Sequence, residues 1–251
     1  MARVRRTLVV LIVIATFAVA CESGSSGEPS ETTATEDRSS PPIEPDCSNQ
    51  AEVIADPESV RSRRLSADVD GDGRDDTLSV AVNPDSPQGC RAFLVAATGA
   101  GSMAEEISDF DISFDLGLPT LEGVVQVGDG PGGEAVVRIV AGASTLFVGL
   151  FTVHEGRLQR IEVAGDAQFG NLFPAGGSVG HLEGSDCTQD GIVISTGVPK
   201  GRGYEVTRTF YSVMGSRAEP TGTETDFVRS RDLNRYPELA GIPFLNCAVE
   251  E

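Results

Sequence analysis

Ala67-Asp68-Val69-Asp70-Gly71-Asp72-Gly73-Arg74-Asp75-Asp76, running into Thr77-Leu78-Ser79-Val80-Ala81-Val82, is the stretch whose reading decides the fold of this chain. Asp68, Asp70, Asp72 and Asp76 hold the first, third, fifth and ninth places of a segment that a tight curl wraps around a single point. Hard divalent cations are held by such shells of oxygen, and the backbone carbonyl of Arg74, at the seventh place, adds a fifth ligand. Gly71 and Gly73 carry no Cβ to obstruct the curl and tolerate positive φ. Without a cation, four carboxylates at this spacing repel one another. Beyond Asp76 the apolar residues alternate, which predicts a β-strand. The stretch reads as a calcium loop feeding a strand.

Two other calcium loops share the early spacing. An EF-hand needs a glutamate at the twelfth place and a helix after it, whereas the twelfth residue here is Ser79 and a strand follows. A dockerin loop also runs into a helix. Ser66 to Val82 instead resembles the repeats of the FG-GAP and VCBS families (the integrin-alpha N-terminal-like type), in which an Asp- and Gly-rich loop precedes a strand of a propeller blade. The resemblance implies that Asp68, Asp70, Asp72 and Asp76 are metal-binding acids, that Arg74 offers its carbonyl, and that a structural Ca2+ sits in an extracellular, propeller-like domain. Members of those families range from adhesion receptors to enzymes, so no activity is implied.

Period-two patterning continues beyond this strand. It predicts strands at 76–82, 91–98, 111–115, 123–127, 135–140, 146–154, 158–163, 192–196 and 204–214, punctuated by clusters such as Asn83-Pro84-Asp85 and Pro199-Lys200-Gly201. Short helices are expected at 48–55 and 231–240, the second limited by Pro237. Val127-Gly128-Asp129-Gly130-Pro131-Gly132-Gly133-Glu134-Ala135-Val136 reads as a decayed copy of the acidic loop and its strand. Gly184-Ser185-Asp186-Cys187-Thr188-Gln189-Asp190-Gly191-Ile192-Val193 reads as a fainter one, which sets Asp70, Asp129 and Asp186 about 60 residues apart. In step with these two copies, Phe151-Thr152-Val153-His154-Glu155-Gly156-Arg157 lies on Tyr211-Ser212-Val213-Met214-Gly215-Ser216-Arg217, each a strand ending in a tight turn. The second loop keeps only Asp129 and Glu134 and the third only Asp186 and Asp190, so neither is assigned a metal. The expected fold is all-β: a propeller-like body, or an incomplete propeller, of about three β-meander units with short helical additions, since a closed propeller takes at least about four blades. A sandwich of comparable size is the alternative.

The N-terminus reads as an export signal over residues 1–20, with Arg3, Arg5 and Arg6, an apolar run over 8–20, and small residues before Cys21. The run is too short to span a bilayer comfortably. Ala18-Val19-Ala20-Cys21 resembles the lipobox of bacterial lipoproteins, in which the signal is cut before the cysteine and the cysteine takes up lipid. Ala20 and Cys21 fit that pattern, while Ala18 stands where leucine is usual. The resemblance implies a palmitate-bearing Cys21 that holds the chain to the cell membrane on its extracytoplasmic face; an ordinary secretory signal cut near Ala20 is the alternative. Residues 21–46 are Ser, Thr, Glu, Pro and Gly with almost no apolar side chain, too few to offset the entropy of ordering. They are expected to form a disordered tether with a root-mean-square span of roughly 25–30 Å, leaving 47–251 as the calcium-stabilised domain.

A formal charge of −19 repels nucleic acid and anionic headgroups. The expected partners are the membrane, through Cys21, and a protein or glycan of the envelope, with the chain itself a monomer. With Cys21 lipidated, Cys47, Cys90, Cys187 and Cys247 form an even set in an oxidising compartment, which predicts two disulfides. Nearness in sequence favours Cys47 with Cys90 and Cys187 with Cys247. Zinc is disfavoured, because no two cysteines are spaced for a knuckle and only His154 and His181 are available to help.

Catalytic signatures fail in context. Gly176-Gly177-Ser178-Val179-Gly180, followed by His181, matches G-x-S-x-G, but that motif needs a strand before the serine and a helix after it. Phe173-Pro174-Ala175 and Leu182-Glu183-Gly184 read as loop on both sides. Gly128-Asp129-Gly130-Pro131-Gly132-Gly133 satisfies G-x-G-x-x-G and precedes a strand, where a phosphate site needs a helix. No catalytic residue is assigned. The sequence points to a cell-surface lipoprotein whose β domain is a binding or scaffolding module. A secreted or envelope hydrolase using Ser178 and His181 at a rim, and an accessory subunit of an envelope sensor, are the alternatives.

Overall fold

The computed structural model describes residues 54, 60–61, 64–86, 90–107, 117–141, 144–165, 169–178 and 180–247, all within the unit Ile43–Glu251. The export signal, Cys21, the tether, Cys47, the strand expected at 111–115 and, apart from Ile54, the helix expected at 48–55 lie outside the described residues.

Runs of alternating apolar residues broken by short turns favour antiparallel pairing of each strand with the next, and the chain pairs in this way three times. The first meander is β2 (Leu65–Ala67), β3 (Asp76–Val82), β4 (Ala92–Thr98) and β5 (Gly101–Glu106), with the two-residue β1 (Val60–Arg61) on the other part of β3. The second is β6 (Thr120–Val125), β7 (Glu134–Ala141), β8 (Thr145–His154) and β9 (Arg157–Arg160). After β10 (Glu162–Val163) and β11 (Phe173–Ser178), the third is β12 (His181–Thr188), β13 (Gly191–Lys200), β14 (Gly203–Met214) and β15 (Arg217–Arg229). β11 pairs with β8 on one side and β12 on the other, joining the second and third meanders into a ten-stranded sheet, while the first stands in a five-stranded one. The fold is all-β, closed at its C-terminal end by 3-10 helices at Ser230–Arg235, Pro237–Ala240 and Leu245–Cys247.

The second meander lies between two cores. Ala135, Val137, Ile139 and Phe151 pack with Leu78, Val80, Val82, Leu94 and Ala96 of the first meander. On its opposite face, Val125, Val136, Val148 and Leu150 pack with Ile192, Ile194, Tyr211 and Val213 of the third. Burial on both faces explains why β7 and β8 read as nearly continuous apolar runs, EAVVRIVA and TLFVGLFTVH. No helix among the described residues is long and apolar enough to cross a membrane.

Several strands differ from expectation. β5, β11, β12 and β15 have no counterpart in the apolar pattern. β5 (GSMAEE) is nowhere fully buried, and β15 (RAEPTGTETDFVR) is exposed along most of its length, so neither needs an apolar face. β11 (FPAGGS) holds a proline and two glycines at positive φ, which in sequence signal a loop. The third acidic loop is corrected: residues 184–188 belong to β12 and only a tight turn separates it from β13. The Asp186 carboxylate has another task, accepting bonds from the backbone and side-chain nitrogens of Asn246. The helical segment near 231–240 is two 3-10 helices, the second opening on Pro237, whose missing N–H is harmless there.

Candidate functional site

The loop between β2 and β3 is wound by its own carboxylates. Asp68 accepts the Gly71 N–H at 2.7 Å through Oδ1 and the Gly73 N–H at 2.8 Å through Oδ2. Asp70 accepts the Asp72 N–H at 3.1 Å, and Asp72 the Arg74 N–H at 2.8 Å. Such side-chain-to-backbone bonds are why aspartate builds turns. Gly71 and Gly73, at φ of 77° and 82°, supply the left-handed residues the path requires. Asp76, 2% exposed, turns back from the first residue of β3 so that Oδ2 accepts Val69 N–H at 3.0 Å and Asp70 N–H at 3.3 Å.

The result brings carboxylate oxygens of Asp68, Asp70 and Asp76 within 4.8 Å of one another. Ligands on opposite sides of a calcium ion, each about 2.3–2.6 Å from it, stand about 5 Å apart, so these three oxygens fit around one ion. Their mutual repulsion favours a cation between them. Asp72 stands outside the group: it is exposed, with Oδ2 beside Gly99 in the β4–β5 turn. Arg74 is exposed on the rim of the loop.

A second loop, between β6 and β7, packs against the first. Gly133 N–H donates to the Asp68 carbonyl at 2.9 Å. A Cβ on Gly71 would run into Pro131, and one on Gly132 into the Val69 carbonyl, so both positions require glycine for this approach. Glu134 closes this loop from the start of β7, accepting Val127 N–H at 2.8 Å and Gly128 N–H at 3.2 Å. Burial pushes its carboxyl above the usual glutamate range, against the lowering effect of those backbone donors.

Two clefts open beside these loops. One, of about 530 Å³, lies between Asp70 and Asp72, the β4–β5 turn at Ala100 and Gly101, and the β8–β9 turn at Glu155 and Gly156. The other, of about 630 Å³, lies between Asp129 and Glu134, the same β8–β9 turn at His154 and Glu155, and the β14–β15 turn at Met214 and Gly215. Each is thus bounded by one loop and the closing hairpins of two successive meanders. Those hairpins share their register: His154 pairs with Arg157 and Met214 with Arg217 across each two-residue turn.

Ser178 and His181 are the closing pair of the β11–β12 hairpin, so a strand and not a helix follows the serine motif, and the nucleophile turn does not form. His181 Nε2 lies 3.7 Å from Glu183 Oε1, whose other oxygen accepts Thr145 Oγ1–H at 3.0 Å. The glycine-rich segment 128–133 leads into β7, as a turn between strands. Cys187 is bonded to Cys247, with Cα atoms 5.4 Å apart across a separation of 60 residues. Cys90 is disulfide-bonded as well, and its expected partner, Cys47, is outside the described residues.

Sequence reasoning missed Gln126, whose side chain faces the carbonyls of the second loop. The matching bonds of Asp76 and Glu134 set Gln126 where the first loop has Asp68, one residue off the register that lays Asp129 on Asp70 in the sequence. No family model matches this chain, and no curated protein or solved structure matches it either.

Proposed function

We propose that this chain is a cell-surface lipoprotein, anchored through Cys21 at the extracytoplasmic face of the membrane, whose β domain binds calcium structurally and serves as a binding or scaffolding module. The observation that carries the reading is the convergence of Asp68, Asp70 and Asp76 on one point. Asp72 and the Arg74 carbonyl, assigned by resemblance to FG-GAP and VCBS loops, would complete the oxygen shell. The ion would supply charge neutralisation and rigidity at the head of β3. Face-to-face packing of the second meander between the other two supports an incomplete, propeller-like arrangement. The hydrogen bonding of the second and third meanders into one sheet is a departure from separate blades.

The paired clefts on the loop rim, lined by Asp70, Asp72, Asp129, Glu134 and Glu155, support binding of an envelope protein or glycan there. With a calcium affinity at the strong end of extracellular modules, on the order of 0.1 mM, about 1 mM free calcium stabilises the fold by about 1.4 kcal/mol. Melting of wild type and Asp70→Asn in calcium and in chelator tests the metal: calcium raises the wild-type midpoint by about 4 °C and leaves Asp70→Asn nearly unmoved. Equal shifts in both proteins would defeat the site. A clickable palmitate analogue fed to cells tests the anchor, with labelling expected in wild type and lost in Cys21→Ala.

A further inference from the structure

The two loops are closed with opposite polarity. In the first, backbone N–H groups of Gly71 and Gly73 turn inward to the Asp68 carboxylate. In the second, backbone carbonyls turn inward to a donor: Gln126 Nε2 lies 3.0 Å from Gly130 O, 3.3 Å from Gly132 O and 3.4 Å from Gly128 O. The frames correspond, because Asp76 and Glu134 each accept the N–H groups seven and six residues before them. Asp68 and Gln126 are both the residue just ahead of that pair. An amide oxygen at this point would face three carbonyl oxygens, so chemistry fixes the NH2 end there.

Three carbonyl oxygens directed at one point are an environment suited to a cation, as in the ligand shells of calcium loops. We propose that the Gln126 side-chain amide takes the place of an ion in the second loop, so that this loop is closed without metal while the first depends on it. The inference rests on the calcium reading of the first loop for its contrast, and on Gln126 alone for its substance. It explains how the second loop closes on its buried acid without aspartates at alternate places: the partial positive charge of two N–H groups satisfies the carbonyls that the loop gathers. It also makes position 126 the residue that selects between an ion-dependent and an ion-independent loop. A carboxylate there adds a negative ligand to three carbonyls, an arrangement that is repulsive when empty and favourable once a cation enters.

The test compares purified full-length wild type, Gln126→Ala and Gln126→Glu by melting in chelator and in excess calcium, with calorimetric titration of calcium. In chelator both variants melt about 3 °C below wild type, since each loses the hydrogen bonds that Gln126 Nε2 donates to the loop carbonyls. Excess calcium raises Gln126→Glu more than it raises wild type and adds one equivalent to the titration, while Gln126→Ala gains only what wild type gains. The proposal is overturned if Gln126→Ala melts with wild type in chelator, or if Gln126→Glu gains nothing from calcium beyond the wild-type response. A wild type indifferent to calcium would defeat the first-loop reading and still leave the comparison of the two variants to decide the second.

Discussion

Asp76 and Glu134 do the same work in successive loops: each is the first residue of a strand, is 2% exposed, and returns its carboxylate to the backbone N–H groups six and seven residues earlier. A buried carboxylate accepting two N–H bonds is a strong organiser, because charge-assisted bonds are about twice as strong as neutral ones. What the repeat keeps is the acid that closes the loop. The half-buried Asp68 and Asp70 are the part it lets go, Gln126 and Gly128 standing in their places.

Glu134 makes stability depend on pH in a defined sense. Burial raises its carboxyl above the ordinary glutamate value, so the folded chain holds the proton more tightly than the unfolded chain. This contribution is full below the unfolded value and is lost as pH rises through the folded one. In chelator, the midpoint of Glu134→Gln relative to wild type therefore climbs as pH rises above the ordinary glutamate range. Scanning calorimetry reads the difference, and a flat difference contradicts the assignment.

The 3-10 helix Pro237–Ala240 is held by an ion pair between buried Glu238 and half-buried Arg208. Glu238, 1% exposed, accepts Ser195 Oγ–H at 2.8 Å and Arg208 Nε–H at 3.0 Å, and the Arg208 guanidinium lies over the rings of Phe210 and Tyr236 at 5.0 and 5.6 Å. Arg208→Met leaves the Glu238 charge buried without its partner and costs about 3 kcal/mol, about 10 °C in melting temperature. Glu238→Gln keeps an acceptor for both donors and costs about 1 kcal/mol. Urea denaturation gives both values, and the reverse order would contradict the pairing.

The bond between Cys187 and Cys247 closes a 60-residue separation, for which chain entropy gives a stabilisation of about 4 kcal/mol. Cys187→Ser/Cys247→Ser retains the Asp186 contacts to Asn246, so a loss of about 2–4 kcal/mol is expected in chemical denaturation. The double variant is more informative than reductant, which also reaches the Cys90 bond.

Glu155 and Gly156 form the β8–β9 turn at φ of 51° and 72°. Both residues are left-handed, as a type I′ hairpin turn demands, and asparagine suits the first place better than glutamate. Glu155→Asn is expected to raise the melting temperature by about 2 °C. An unchanged or lower midpoint counts against the turn assignment.

The sequence was most legible where one physical demand dominated. β3 begins at Asp76 and ends at Val82 as its alternation predicts, and the hairpins at Glu155 and Gly215 share their register as the matching segments predict. Three of the four aspartates converge, whereas Asp72, which accepts the Arg74 N–H in the same way that Asp70 accepts that of Asp72, is turned outward beside Gly99. β15 was hidden because an exposed strand needs no apolar face. Asp186 looked like a loop acid because its partner, Asn246, lies 60 residues away, and no local pattern announces a contact at that range.

The most direct test of the account is calorimetric titration of calcium into chelator-stripped, full-length wild type and Asp70→Asn. The account predicts one ion per chain for wild type with a dissociation constant on the order of 0.1 mM, and binding at least about tenfold weaker for Asp70→Asn, which keeps the loop's hydrogen bond to Asp72 but lacks the charge. Folded wild type that takes up no calcium, or an Asp70→Asn isotherm that overlays the wild-type one, would contradict it.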